Sequence, residues 1–367
     1  MTDRKGLPVL IAAAGTGGHV FPALAVGDEL ARRGFDLHWV GTARGIEARV
    51  VPAVSYCMHR LPVAGLRGRS LSARTRTLAL ALYATGCALA LMWRLKPRAV
   101  LAMGGYVSGP VGIAAWLARR RLVVHEQNAI PGFTNRVVGR LATRVLETVP
   151  GSFPARYRAE AVGNPVRKEI AELAAEPRER APGAAPRVLV VGGSQGAASL
   201  NRAVPAALSR LAAAGVPFSV CHQTGADRVE AVAAAYRGAG VDAQVLPFIE
   251  DIAQRYREAD LVVARAGAGS IAEITLAGLS GLLIPYPYAV DDHQTANARA
   301  LVEAGAAALF RDDELDGEDF RRALEALLTD ASRRESMAAA SRRLARPRAA
   351  AAVADAVAAV AGEGTGG

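Results

Sequence analysis

Short apolar runs recur along the chain, and each is followed by a stretch with helical spacing. In the first half they are Val9–Ala13, Leu37–Val40, Tyr56–Leu61, Ala99–Ala102, Leu122–His125 and Arg144–Val149. In the second half they are Val188–Val191, Phe218–His222, Ala243–Pro247, Leu261–Ala264, Leu282–Pro285 and Ala307–Phe310. Runs that are apolar throughout read as strands buried on both faces, and their alternation with helices predicts parallel sheets covered on both sides. The pattern occurs twice, and 367 residues are enough for two domains with full cores. The Gly163-Asn164-Pro165 turn and the Pro/Ala-rich Glu176–Pro186 stretch lie between the halves, which places a hinge near 163–165. The Ala/Arg-rich tail, 330–360, reads as one or two helices, and Gly362–Gly367 as a frayed end.

One segment departs from this pattern. Leu78–Trp93 runs for 16 residues without a charge, preceded by Arg67, Arg69, Arg74 and Arg76 and followed by Arg94, Lys96 and Arg98. A spanning helix needs about 20 apolar residues, and this one contains Thr85 and Gly86, so spanning is disfavoured. Two readings stay open: a buried domain helix, or a helix docked on a membrane surface with its cations at anionic headgroups. They are compatible if only the helix start and the Leu66–Leu71 loop meet lipid.

Composition narrows the class. Hydrophobic residues make up 51% and charged residues 21%, as in a soluble globular α/β protein. Cys57, Cys87 and Cys221 are scattered and read as buried thiols, without a disulfide framework or metal spacing. The first residues lead directly into a strand, so no cleaved signal peptide is expected. The net charge of +10 is unevenly spread: residues 1–165 hold 22 Lys+Arg against 8 Asp+Glu (+14), and residues 166–367 hold 22 against 26 (−4). A basic half beside a mildly acidic one points to a polyanionic partner for the first half. An Arg-rich composition from a GC-rich genome is the plainer alternative.

The candidate chemistry sits after the strands. Ala14-Gly15-Thr16-Gly17-Gly18-His19 and Gly192-Gly193-Ser194-Gln195-Gly196-Ala197 each follow an apolar run and open a helix, where backbone N–H groups can approach a diphosphate. A dinucleotide fingerprint needs a third glycine and an acid ending the second strand. Val20 occupies that glycine position, and Gly41-Thr42 and His222-Gln223-Thr224 offer no acid, so NAD is disfavoured. No P-loop motif occurs. His19, near a helix N-terminus whose dipole favours neutral imidazole, suits a general base. Met103–Pro110 offers backbone donors, and His125-Glu126-Gln127-Asn128 sets four polar side chains after an apolar strand. Paired carboxylates for glycoside hydrolysis are not evident. Ser270 and Glu273 form an S-x-x-E pattern that reads as a capping box or as a ribose-binding carboxylate. Asp291–Asn297 offers amide contacts for a sugar, with no ligand cluster to make Asp291-Asp292 a metal site.

Nine ordered segments together resemble the MurG family of glycosyltransferases over nearly the whole chain: GTGGHVFPALA (15–25), GLRGRSL (65–71), MGGYVSGP (103–110), HEQNAIPGFTNR (125–136), GNPVR (163–167), VVGGSQGA (190–197), RAGAGSIAEI (265–274), IPYP (284–287) and HQTANA (293–298). The resemblance implies a GT-B fold, two Rossmann-like domains whose parallel sheets face an interdomain cleft. Residues 1–163 would bind acceptor and membrane, and 164–340 the UDP-sugar. Residues 341–367 would form a helix packing back on the first domain, with a disordered end.

It further implies transfer from UDP-N-acetylglucosamine to lipid I, undecaprenyl-diphosphoryl-N-acetylmuramoyl-pentapeptide, in peptidoglycan synthesis. The acceptor's C4 hydroxyl would displace UDP with inversion, giving a β-1,4 linkage. By similarity the donor site takes Thr16, Gly17, Gly18, Asn128, Arg167, Ser194, Ile249, Ala268, Gly269, Ser270, Ile271, Ala272, Glu273 and Gln294, with Glu273 on the ribose. His19 is the candidate base and Glu126 a second, acceptor-side candidate. The resemblance implies no metal or other cofactor and no nucleic acid. It implies a peripheral place on the cytoplasmic face of the inner membrane, an anionic surface, and partners among other cell-wall synthesis and division proteins.

Two positions depart from the family pattern: Ala14, where the first loop usually carries another glycine, and Ser280, where proline is common. Another UDP-sugar GT-B transferase acting on a membrane lipid is the alternative enzyme, and HEQNAIPG argues against it. A non-catalytic sugar-nucleotide-binding or membrane-recruiting protein is the alternative class, and intact His19, Arg167, Glu273 and Gln294 argue against that.

Overall fold

The computed structural model describes residues 6–54, 56–63, 71–177, 183–193 and 196–362, with the backbone alone for 71–77. The expected Leu66–Leu71 loop, apart from the backbone of Leu71, and Ser194 with Gln195 lie outside the described residues. The chain divides into two compact units, Met1–Arg167 with Arg348–Gly367, and Lys168–Pro347.

In the first unit the order is β1 (Pro8–Ala12), α1 (Gly17–Arg32), β2 (Asp36–Gly41), α2 (Glu47–Val50), β3 (Cys57–Arg60), α3 (Leu71–Leu95), β4 (Ala99–Ala102), α4 (Ser108–Leu117), β5 (Arg121–Glu126), α5 (Phe133–Gly139), β6 (Arg144–Glu147) and β7 (Glu160–Ala161). The strands form a parallel sheet in the order β3-β2-β1-β4-β5-β6-β7. Its direction of winding reverses beside β1, so the carboxyl ends of β1 and β4 flank a switch point, the usual ligand position in such sheets.

Side-chain alternation assigns the two faces. Val9 and Ile11 of β1, with Trp39, Leu101 and Val123, pack on Val20, Ala23, Val26 and Leu30 of α1. Leu10, Ala12, Val40, Val100 and Val124 pack instead on Ala88, Leu91 and Met92 of α3 and Val111, Ala114 and Ala115 of α4.

The second unit runs α6 (Lys168–Ala171), β8 (Arg187–Val191), α7 (Ala198–Ala213), β9 (Ser219–Gln223), α8 (Val229–Gly238), β10 (Ala243–Leu246), α9 (Ile252–Glu258), β11 (Leu261–Arg265), α10 (Ala268–Ala277), β12 (Ser280–Ile284), α11 (His293–Glu303), β13 (Ala307–Leu309), α12 (Glu318–Thr329) and α13 (Ala331–Arg343). Its parallel sheet has the order β10-β9-β8-β11-β12-β13, with the equivalent switch between β8 and β11. Leu200, Val204, Leu208 and Leu211 of α7 and Phe320, Leu324 and Leu327 of α12 cover one face. The last helix, α14 (Ala349–Gly362), returns to the first unit, where Val353, Val357 and Val360 share the core beneath α1.

Three sequence expectations need correction. The apolar segment belongs to a helix of 25 residues, and its window Leu78–Leu95 is long and apolar enough to cross a membrane by length and composition. The length argument against spanning therefore fails. What places this helix is its inner face, where Ala84, Ala88, Leu91 and Met92 are buried. Second, the cysteines are not all buried: Cys57 is exposed, while Cys87 and Cys221 are half-buried. Third, the two-residue edge strand β7 carries no apolar run and escapes the pattern; it pairs Glu160 and Ala161 with Leu146 and Glu147.

Candidate active site

In the first unit, β1 delivers its glycine loop to the switch point. Thr16 caps α1 in extended conformation, and the first intrahelical bonds are His19 N to Thr16 O (3.1 Å) and Val20 N to Thr16 O (3.2 Å). The N–H groups of Gly17 and Gly18 precede those bonds and lie at the positive end of the helix dipole, as a diphosphate requires. Gly15 needs its glycine, with φ at +98°. Ala14 does not: it is buried and absent from the positive-φ positions, so the departure from the family pattern carries no backbone strain.

His19 is half-buried, with Nδ1 3.3 Å from Thr16 Oγ1. When Nδ1–H donates to that hydroxyl, Nε2 is the basic nitrogen. The Met103–Pro110 loop is built against this ring. Gly104 and Gly105 both hold positive φ; a Cβ on Gly104 would run into the His19 imidazole, and one on Gly105 into the Ala14 carbonyl. Buried Ser108 fixes the turn, its Oγ accepting from Gly104 N (2.9 Å) and reaching Gly104 O (2.8 Å) and Ala12 O (3.2 Å).

Glu47, which sequence reasoning passed over, braces the loop from the other side. Its fully buried carboxylate accepts from Gly15 N (3.1 Å), Thr42 N (2.9 Å) and Thr42 Oγ1 (2.7 Å). The available signal was an acid just beyond a strand-ending Gly41-Thr42 pair.

The HEQN loop divides into distinct roles. His125 is buried, donates from Nε2 to Gly163 O (3.0 Å), and burial pushes its imidazole down to about 4. Gln127 ties the loop to its neighbour through Met103 O (2.8 Å). Glu126 is buried with both oxygens engaged. Oε1 accepts from Asn128 N (2.9 Å) and Asn128 Nδ2 (3.2 Å), and Oε2 from Gly132 N (3.1 Å) and Asn135 Nδ2 (2.9 Å). Such a carboxylate organises the turn that presents Asn128. Arg167 stands exposed with its guanidinium 5.7 Å above the Phe21 ring, and so in the first unit, beside α1.

In the second unit, Gly193 and Gly196 hold positive φ, and a Cβ on Gly196 would strike the Thr224 carbonyl. Gln223 joins this loop to Ile249: its Nε2 donates to Gly193 O (2.8 Å) and its Oε1 accepts from Ile249 N (3.1 Å). Nothing local announced this bridge, because its partners lie 30 and 26 residues away.

At the other side of the switch, Gly267 caps α10 and accepts the first helical bond from Ile271 N (2.9 Å), so Ala268, Gly269 and Ser270 present their N–H groups ahead of it. This corrects the capping-box expectation: Ser270 is the third residue inside the helix, and no side chain caps it. Glu273 lies one turn on, half-buried, and accepts from Tyr256 Oη (3.0 Å). Arg265 locks the loops, donating to Pro285 O (3.1 Å) and Ser199 Oγ (2.8 Å) and pairing with Asp312. Gln294 accepts from Tyr286 N (2.9 Å) after Asp291 and Asp292, two consecutive residues in left-handed conformation. Such conformations cluster at ligand-binding loops.

Two family models match this chain: the glycosyltransferase family 28 N-terminal domain over residues 9–147 and the family 28 C-terminal domain over 187–357. A UDP-N-acetylglucosamine--N-acetylmuramyl-(pentapeptide) pyrophosphoryl-undecaprenol N-acetylglucosamine transferase from Alkalilimnicola ehrlichii is 49% identical, over 95% of this chain and 97% of that one. Its namesake from Nitrosococcus oceani is 48% identical over the same shares. The crystal structure of Acinetobacter baumannii MurG superposes with a TM-score of 0.83 at 39% identity, covering 96% of this chain and 99% of its own. With both domain models in order, GT-B architecture and near-complete coverage, the chain belongs to glycosyltransferase family 28 and, within it, to the MurG family of N-acetylglucosamine transferases.

Proposed function

We propose that this enzyme moves N-acetylglucosamine from UDP-N-acetylglucosamine to the C4 hydroxyl of the N-acetylmuramoyl residue in undecaprenyl-diphosphoryl-MurNAc-pentapeptide, with inversion. The observation that carries this reading is the pair of glycine loops and helix N-termini at two sheet switch points, with His19 held over Gly104 in one of them. The second unit takes the donor. N–H groups of Ala268, Gly269 and Ser270 with the Ser194 loop hold the diphosphate, Glu273 the ribose, Ile249 the base, and Ile271, Ala272 and Gln294 complete the site.

The first unit takes the acceptor. Its diphosphate suits the first glycine loop, and Thr16, Gly17 and Gly18 with Asn128 and Arg167 also serve the donor. In the transfer step the acceptor oxygen bonds to the anomeric carbon as the bond to the UDP phosphate breaks. The hydroxyl proton passes to His19 and the charge on departing UDP is met by backbone N–H groups. Glu126 acts through Asn128 and Gly132, positioning the loop.

The same unit meets the membrane. On α3, Leu78, Leu82, Tyr83 and Trp93 are 62–65% exposed, and Trp116 and Leu117 of the adjoining α4 are also exposed. Arg94, Arg119 and Arg121 accompany them within the +14 half. An apolar face with cations suits an anionic inner-leaflet surface, where the polyprenyl acceptor resides. The reaction itself is tested by UDP release from purified protein. Release that requires both UDP-N-acetylglucosamine and a short-chain acceptor analogue supports the assignment, and release indifferent to acceptor opposes it.

A further inference from the structure

The edge of the first unit's sheet, away from the glycine loop, carries a second cluster. The parallel register sets His38 of β2 opposite Cys57 of β3, and His59 follows two residues later on the same face. The ligand atoms of His38, Cys57 and His59 all lie within 4.8 Å of one another. His38 Nδ1 is 3.1 Å from His59 Nε2, and Cys57 Sγ is 3.8 Å from the same nitrogen. A tetrahedral zinc shell with ordinary bond lengths needs about 3.3 Å between two nitrogens and about 3.6 Å between nitrogen and sulfur. On the far side of the His38 ring, Nε2 is 3.1 Å from Asp36 Oδ2.

From this arrangement we infer a binding site for a divalent transition metal of the zinc class, with His38 Nδ1, His59 Nε2 and Cys57 Sγ as ligands and Asp36 orienting His38 from behind. A histidine pair alone is explained by one N–H···N bond and stacked rings, here with centroids 5.3 Å apart. It does not explain an exposed thiol at the same point, or a carboxylate fixing the opposite nitrogen, which is the usual support behind a metal-bound histidine. The soft thiolate and two imidazoles select zinc-like ions over magnesium or calcium.

Binding replaces the Cys57 S–H bond by a metal–sulfur bond and releases one proton to solvent. The fourth position is open to water, since Cys57 stands at the surface. A metal here clips the four-residue edge strand β3 to β2.

The test uses tag-free, reduced, full-length protein stripped with chelator and titrated with Co²⁺, then Zn²⁺. The site predicts one equivalent of Co²⁺ with a thiolate-to-cobalt charge-transfer band that Zn²⁺ displaces. Cys57→Ser should abolish the band, His59→Gln should weaken binding at least tenfold, and Asp36→Asn should weaken it about 10- to 100-fold. Cys87→Ser and Cys221→Ser should leave it intact. Independently of any variant, Zn²⁺ should protect Cys57 from alkylation in the native enzyme. Absence of the band, a band that survives Cys57→Ser, or alkylation of Cys57 unchanged by Zn²⁺ would overturn the inference.

Discussion

His19 stands three residues beyond the cap of α1, hydrogen-bonded near Thr16 and backed by a glycine that leaves room for its ring. A base in that position predicts that His19→Ala keeps UDP-N-acetylglucosamine affinity and lowers kcat about 10²- to 10⁴-fold; a variant turning over at a near-normal rate would remove it from the mechanism. Glu126 leads to a different forecast. Its removal as Glu126→Ala strands the N–H donors of Gly132, Asn128 and buried Asn135, so urea unfolding should show a loss of about 3 kcal/mol, with Glu126→Gln losing less. An unchanged midpoint for Glu126→Ala would mean that the hydrogen bonds are not holding the loop. The motif residues were legible because they follow strands in short, unusual strings. Glu47 and Gln223 were not, because each acts on backbone groups brought near only by the sheet, with Gly15 lying 32 residues from Glu47.

Among the elements, every apolar run read from the chain became a strand: the central ones are buried on both faces and so read as unbroken apolar runs, while the edge strands β3 and β10 were legible though only partly buried. The reading failed at two helix starts. The start of α3 carries arginines, so a count of uncharged residues shortened it, and the S-x-x-E pattern of α10 placed the cap three residues late because Gly267 has no side chain to signal it. The outer face of α3 carries its own prediction. Leu82→Glu and Trp93→Glu should each reduce sedimentation with anionic vesicles while leaving UDP binding unchanged. The wild-type association should weaken at high salt, surface charges being screened over roughly 8 Å at physiological ionic strength. Salt-independent sedimentation would refute the electrostatic part, and unaffected variants would move the docking face elsewhere.

At the scale of the whole molecule, both units carry a histidine kept neutral by burial: His125 in the first and His222 in the second, each pushed down to about 4. His222 is held between Tyr236 Oη (3.0 Å) and Asn201 Oδ1 (3.1 Å). Above pH ~6.5 folded and unfolded chains both leave these rings neutral; below it the unfolded chain takes up protons first. Stability should therefore fall as pH drops from about 6.5 toward 4, by up to about 3 kcal/mol for each histidine, and level off beneath that. Unfolding midpoints that do not change between pH 7 and 4.5 would contradict these burials.

The duplicated βα pattern made two sheets legible from the start, and the nine ordered motifs carried the chemistry; the return of the last helix to the first unit, whose core α14 shares, was implied by the family resemblance and by nothing in the apolar pattern. The central claim concerns the bond that the enzyme makes. Purified protein given labelled UDP-N-acetylglucosamine and a short-chain polyprenyl-diphosphoryl-MurNAc-pentapeptide should yield a labelled lipid whose sugar portion, released by mild acid, is a β-1,4-linked GlcNAc–MurNAc disaccharide. Free N-acetylglucosamine alone, or a disaccharide with the α configuration, would contradict the account.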